Sequence, residues 1–229
     1  MTQRAAIFTY ISSLLISLVI SIPCKAQNTK LETETVQADS ISLIHGFAVS
    51  VDLVGAIQRM VSDYGQYEAA IRLNLRDTYF PVLEVGIGSA DHNDDVSQTR
   101  YKSSAPYFRI GADYNLMNNK HDIYRIYGGI RYAFTYFNYD LSHPDVVDPI
   151  WGDIVPYSAN NVKCNYHWAE ISAGVDATLF GPLHLGWSVR YRKRISHNSG
   201  SMGNVWYVPG FGISGGTRLG GTFNITIDI

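Results

Sequence analysis

The sequence predicts an all-β protein: a closed antiparallel up-and-down transmembrane β-barrel of about eight strands. Eight blocks between Gly46 and Ile229 alternate apolar and polar residues, the period of a strand with two unlike faces. The connections between them run long and short in turn, the plan of a barrel with external loops and tight periplasmic turns. The polar face carries Arg and acid with almost no Lys, which suits an enclosed lumen better than a solvated surface.

The amino-terminal segment is set aside first. Arg4 precedes an apolar run from Ala5 to Ile22, followed by Pro23-Cys24-Lys25-Ala26-Gln27. Small residues at Cys24 and Ala26 mark a signal-peptide cut before Gln27. Residues 1–26 are therefore expected to be a signal peptide, 27–45 a flexible periplasmic lead-in and 46–229 the barrel. An uncleaved anchor and lipidation of Cys24 are the competing readings, although Pro23 stands where a lipoprotein signal carries Gly, Ala or Ser. After the cut only Cys164 remains, so no intrachain disulfide can form. Net charge is −2 and basic residues form no exposed run, which argues against a nucleic-acid partner. No cofactor is expected.

The strands follow in order. Phe47, Val49, Val51 and Leu53 share one face of the first, and Tyr67, Ala69, Ile71, Leu73 and Leu75 one face of the second. In the third, Leu83, Val85 and Ile87 oppose Glu84, Gly86 and Gly88; in the fourth, Phe108, Ile110, Ala112 and Tyr114 oppose Arg109, Gly111 and Asp113. The fifth sets Tyr124, Ile126, Ile130, Tyr132, Phe134 and Tyr136 against Arg125, Gly129, Arg131 and Thr135. The sixth, Trp168 to Leu179, sets Ile171, Ala173, Val175 and Ala177 against Glu170, Ser172, Gly174 and Asp176. The seventh opposes Leu185, Trp187, Val189 and Tyr191 to Ser188, Arg190, Arg192 and Arg194, and the last ends on Phe223, Ile225, Ile227 and Ile229. Tight turns are expected at Arg76-Asp77-Thr78, Met117 to His121 and Gly181-Pro182, and a moderate loop at Gln58 to Gln66. Long external loops are expected at 89–106, 140–167 and 196–217.

Alternation alone does not say which face is inside. The polar face collects Asp52, Glu68, Glu84, Asp113, Glu170 and Asp176 with Arg72, Arg109, Arg125, Arg131, Arg190, Arg192 and Arg194, while among Lys30, Lys102, Lys120, Lys163 and Lys193 only Lys193 falls on a predicted strand. Arg pairs with carboxylates through a planar fork and sheds water more readily than Lys. The pattern predicts an interior ion-pair network, with Glu170 and Asp176 pairing the Arg190 to Arg194 ladder, and an apolar face turned to lipid. Tyr79, Tyr114 and Tyr124 at one end, and Tyr107, Tyr136, Tyr139, Trp168 and Tyr191 at the other, are expected to form interfacial girdles.

The terminal segment Arg218-Leu219-Gly220-Gly221-Thr222-Phe223-Asn224-Ile225 resembles the signal read by barrel-assembly machinery, although the chain ends on Ile229 and not on an aromatic residue. With Ser62-Asp63-Tyr64-Gly65-Gln66-Tyr67-Glu68, Ser104-Ala105-Pro106-Tyr107-Phe108-Arg109 and Trp206-Tyr207-Val208-Pro209-Gly210, the chain resembles small outer-membrane barrels of the Bacteroidota, including an uncharacterised family of that group. The resemblance implies a fold and an outer-membrane location. It supplies no activity.

Three groups of residues could carry chemistry. His197-Asn198-Ser199 resembles the His-x-Ser element of outer-membrane lipid A deacylases, where His activates Ser; here Gly200 replaces the Asn that follows, and no acid lies between Ser199 and Arg218. A Ser/Gly-rich loop with one His is the plainer reading. Asp91, Asn93 and Asp95 have the opening spacing of a calcium loop, but Val96 stands where its turn Gly belongs and Lys102 where its closing acid does. A solvated acidic loop accounts for them. The Arg ladder could line an anion path, yet about eight strands leave a lumen only wide enough for side chains. The expected function is a porin-like but pore-less outer-membrane barrel with a structural or surface-interaction role. Its partners would be outer-membrane lipids, the assembly machinery at the last strand, and an extracellular ligand at the long loops. A lipid A or phospholipid acyl hydrolase and a narrow solute channel are the alternatives.

Overall fold

The computed structural model describes residues 43–229 other than 145, 148–151, 153, 156 and 204. The expected signal peptide and nearly all of the lead-in lie outside the described residues. Eight strands close a barrel: β1 (Gly46–Asp52), β2 (Tyr64–Asn74), β3 (Tyr79–Asp94), β4 (Thr99–Asn115), β5 (Tyr124–Ser142), β8 (Ala159–Phe180), β9 (Leu183–Asn198) and β12 (Thr217–Asp228). All neighbours are antiparallel, and β1 pairs with β12 from Ala48↔Asp228 to Asp52↔Asn224 to shut the ring. Two small hairpins lie outside it: β6 (Val146–Val147) with β7 (Ile154–Val155), and β10 (Tyr207–Val208) with β11 (Gly212–Ile213).

The strands are unequal. A bilayer needs roughly 9–11 tilted residues per strand, which β2 and β12 match at 11 and 12 residues. By contrast β3, β4, β5, β8 and β9 run 16, 17, 19, 22 and 16 residues. The excess lies at the end away from the tight turns, so the sheet stands up higher there. This corrects the expected loop 89–106, since β3 and β4 pair from Asp94↔Thr99 downward. The expected loop 140–167 shrinks likewise, because β5 and β8 pair as far as Leu141↔Ala159.

Where β1 stops short, Leu53, expected on the first strand, and the start of the loop expected at Gln58 to Gln66 form instead a helix, α1 (Leu53–Val61), and Tyr64 already begins β2. Asp52 ends β1 with φ −90° and ψ 123°, and its carboxylate accepts from Val54 N at 3.1 Å and Gly55 N at 3.0 Å, as an N-cap does. The same Oδ1 accepts from Phe223 N at 3.1 Å, so one side chain starts the helix and fastens it to β12. α1 packs on β2 and β12 where a longer β1 would have run. A Cβ at Gly55 would come within 2.7 Å of Gln66, so only Gly permits that approach.

Candidate functional site

The lower lumen is filled by charge. At its centre Arg109, fully buried, places Nε 2.8 Å from Glu170 Oε1 and Nη1 3.2 Å from Glu84 Oε2, and pairs with Glu68 as well. Arg190 Nη1 meets Glu84 Oε2 at 2.7 Å and Glu68 Oε1 at 3.0 Å. Arg131 donates from Nε to Glu84 at 2.7 Å and lies 3.0 Å from Asp113. Lower down, Arg72 bonds Asp176 at 3.0 Å, and Arg125 joins the same carboxylate. Such pairs hold only while each charge keeps its partners, because desolvation of an isolated ion costs several kcal/mol. Glycines make the room: a Cβ on Gly129 or Gly186 would fall on the carboxylates of Asp113 and Asp176, which lie directly across on the paired strands.

Most of the expected network residues thus meet, with four corrections. Arg190 was expected to pair with Glu170, but the directly opposed pair is Glu170↔Arg192. Arg190 crosses the lumen to Glu68 and Glu84 and keeps only a longer ion pair with Glu170, at 3.9 Å, while Asp176, also expected against the ladder, pairs instead with Arg72 and Arg125. A full-length guanidinium in a narrow barrel reaches the far wall as easily as its neighbour. Asp52 makes the helix cap and not an ion pair among the described contacts. Arg194 donates to the Tyr166 hydroxyl at 2.9 Å, above the network.

Over the charged layer lies an aromatic one. Tyr101, Tyr107, Tyr139, Tyr166, Trp168, Tyr207 and Phe211 are all buried in one cluster. Tyr107, Tyr139 and Trp168 were expected in a girdle, but they point inward, whereas Tyr79, Tyr114, Tyr124, Tyr136 and Tyr191 are exposed on the outer wall. Two of the inward rings tie the layers together: Tyr107 OH donates to Glu68 at 2.7 Å and Trp168 Nε1 to Glu170 at 2.6 Å.

The cluster is completed by a segment expected to be a free external loop. Residues 205–213 fold back into the barrel mouth, where Val208 and Phe211 are fully buried. Their backbone caps the network: Arg109 Nη2 donates to Gly210 O at 2.7 Å and Arg192 Nη1 to Phe211 O at 2.9 Å. Tyr101 OH donates to Tyr207 O at 2.7 Å, and Tyr207 OH to Gly65 O at 3.1 Å. Gly210, at φ +79°, lies so close over the Tyr107 ring that a Cβ would meet it at 2.5 Å. The aromatic-rich Trp206-Tyr207-Val208-Pro209-Gly210 run was the available signal, since a solvated loop seldom needs it.

Below the network a vestibule of about 300 Å³ opens between the tight turns, walled by residues including His45, Asp77, His121, Arg125 and Asp176. A cavity beside Glu68, Glu84 and Arg190 has only about 10 Å³, room for one water at most.

The remaining candidates are placed as follows. His197 stacks edge-on against Tyr166 at 5.3 Å, and Ser199 O accepts from Tyr139 OH at 3.5 Å. Among the described residues no hydrogen bond joins His197 to Ser199. In the β3–β4 hairpin, Asp91 takes both prongs of Arg100 at 2.8 Å, and this pair holds the Asp91 carboxyl below its usual range. Asn93 and Asp95 are exposed beside it, and the described residues contain no cluster shaped for a metal.

Solved structures with a similar fold are outer-membrane proteins at low identity. A major outer membrane protein from Thermus thermophilus aligns with TM-score 0.50 and 10% identity, over 81% of this chain and 100% of that one. Neisserial surface protein A aligns with TM-score 0.47 and 11% identity over 81% and 99%. CarO2 of Acinetobacter baumannii gives 0.37 and 13% over 82% and 99%. At these identities the likeness shows the fold alone. No curated protein matches the sequence. Over residues 7–229 the sequence matches one family model, and the chain belongs to that family, described as Domain of unknown function (DUF6048).

Proposed function

We propose that the chain is a small outer-membrane barrel of the Bacteroidota type that conducts nothing and presents its raised outer end for surface interaction. The observation that carries this is the filled lumen: an ion-pair layer, an aromatic layer and the infolded 205–213 segment follow one another along the axis. On this reading the exposed apolar wall contacts membrane lipid, the β12 segment is read by the assembly machinery, and the β3–β4 tip with the segments after β5 and β9 faces the medium.

Conductance across planar bilayers containing the purified protein tests the seal. No steady current is expected; a stable open level would establish a channel. The acyl-hydrolase alternative is tested separately. Ser199→Ala is expected to leave lipid A acylation unchanged by mass spectrometry, and loss of a deacylated species present with the wild type would make the barrel an enzyme.

A further inference from the structure

At the raised end a cleft of about 440 Å³ opens between the β3–β4 tip, β5 and the segment that enters the barrel. The volume lies in the range of small-molecule sites, roughly 300–1,000 Å³. Its apolar wall includes Trp206, Tyr101 and Tyr157, and its polar wall Asp94, Ser97 and Thr99. Trp206 is held rather than loose: His92 stacks on it at 4.2 Å and 6°, and Tyr64 abuts it edge-on at 5.6 Å. His92 is itself fixed by Asp63 at 3.0 Å. A partly exposed indole locked by its neighbours loses little freedom when a ligand settles on it.

We propose that this cleft binds a neutral saccharide of one or two rings, with Trp206 as its platform and Asp94, Ser97 and Thr99 as partners for the hydroxyls. A pyranose has one face of C–H bonds, which suits the electron-rich face of an aromatic ring, and a rim of hydroxyls that both donate and accept. The walls match that division. Among the described residues neither Arg nor Lys lines the cleft, and its one basic group, His92, is already engaged by Asp63, so a phosphate or sulfate group would find no dedicated counter-charge. Asp94 already accepts from Val96 N at 3.0 Å and Ser97 Oγ at 2.9 Å, which fixes its carboxylate while each oxygen keeps a lone pair for a hydroxyl. The inference rests on the surface-interaction reading and names a ligand class for it.

The test uses the purified, folded full-length protein in detergent micelles, titrated with maltose, lactose, cellobiose, N,N′-diacetylchitobiose and, as a cationic control, tetramethylammonium. Intrinsic tryptophan fluorescence and saturation-transfer NMR are the readouts. At least one saccharide is expected to bind saturably, and Trp206→Ala and Asp94→Asn each to weaken it about tenfold or more. Asp94 is exposed, so Asp94→Asn and Thr99→Val keep the test alive should Trp206→Ala misfold. Absence of binding by every sugar, binding indifferent to all three variants, or saturable binding of tetramethylammonium alone would each overturn the proposal. Labelling of Val96→Cys on intact cells by a membrane-impermeant maleimide tests the outward orientation independently. Sugar binding in micelles without labelling on cells would sink the surface reading and leave the cleft standing.

Discussion

The lower and upper halves of the barrel are made of the same strands, yet they use the two faces in opposite ways. On lower β8, Ile171 and Val175 point outward and Glu170 and Asp176 inward; on upper β8, Lys163 points outward and Cys164, Tyr166 and Trp168 inward. Strand β5 repeats the exchange, from Ile130 outside and Arg131 inside to Asn138 and Asp140 outside and Phe137, Tyr139 and Leu141 inside. The pleat keeps its period throughout. On the proposed reading, what changes is the medium around the wall: hydrocarbon below, water above. Apolar side chains leave the wall for the lumen once the outside is water, since burial there removes them from it. On the proposed membrane reading, the exchange point near Trp168 and Tyr107 marks an edge of the bilayer.

The largest effect should come from the lower lumen. Arg109→Ala removes a cation that touches Glu68, Glu84, Glu170 and the Gly210 carbonyl together. It should destabilise by about 3–5 kcal/mol in chemical unfolding from lipid vesicles. Adding Glu170→Gln should cost less than the sum of the single changes. Strict additivity would mean that the two do not share one network.

The next test compares the halves directly, on one strand and one face. Val175→Lys puts a charge against hydrocarbon and should cost about 2–4 kcal/mol at the bilayer midplane. Lys163→Val, 12 residues away by position number on the same outward face, should stay within about 0.5 kcal/mol. Equal effects in unfolding titrations would erase the proposed boundary. The smallest expected change is at the seam. Asp52→Ala removes the cap of α1 and the acceptor for Phe223 N, which should cost about 1–2 kcal/mol. Hydrogen exchange should quicken in 53–61 and 219–223 while the β4–β5 amides stay protected. Uniform quickening would show that α1 is not a separate closing element.

The strands of the lower half are legible in the sequence because an apolar outer face and a charged lumen impose opposite demands at every second residue, which makes the alternation strict. The upper half reads as loop for the same reason. Ser103, Ala105 and Ser104 carry too little contrast for the pattern, and the sense of the alternation has reversed. The two candidate chemistries in the outer segments come from spacing alone, whereas the cleft at Trp206 draws on residues from several separate stretches that only the folded chain assembles.

By itself the sequence determined the fold class, the short turns, the apolar outer face of the lower wall and most of the lumen network, though not Asp52 or Arg194. These follow from local periodicity and from the chemistry of Arg beside acid. Tertiary structure decided which Arg meets which acid, because guanidiniums span the lumen and adjacency in register does not bind them to their neighbours. It also decided that 205–213 turns inward. A segment with bulky rings and backbone carbonyls can either hang in water or cap buried charge. Only the closed ring, with Arg109 and Arg192 presenting donors at its mouth, gives those carbonyls partners that offset the loss of solvent.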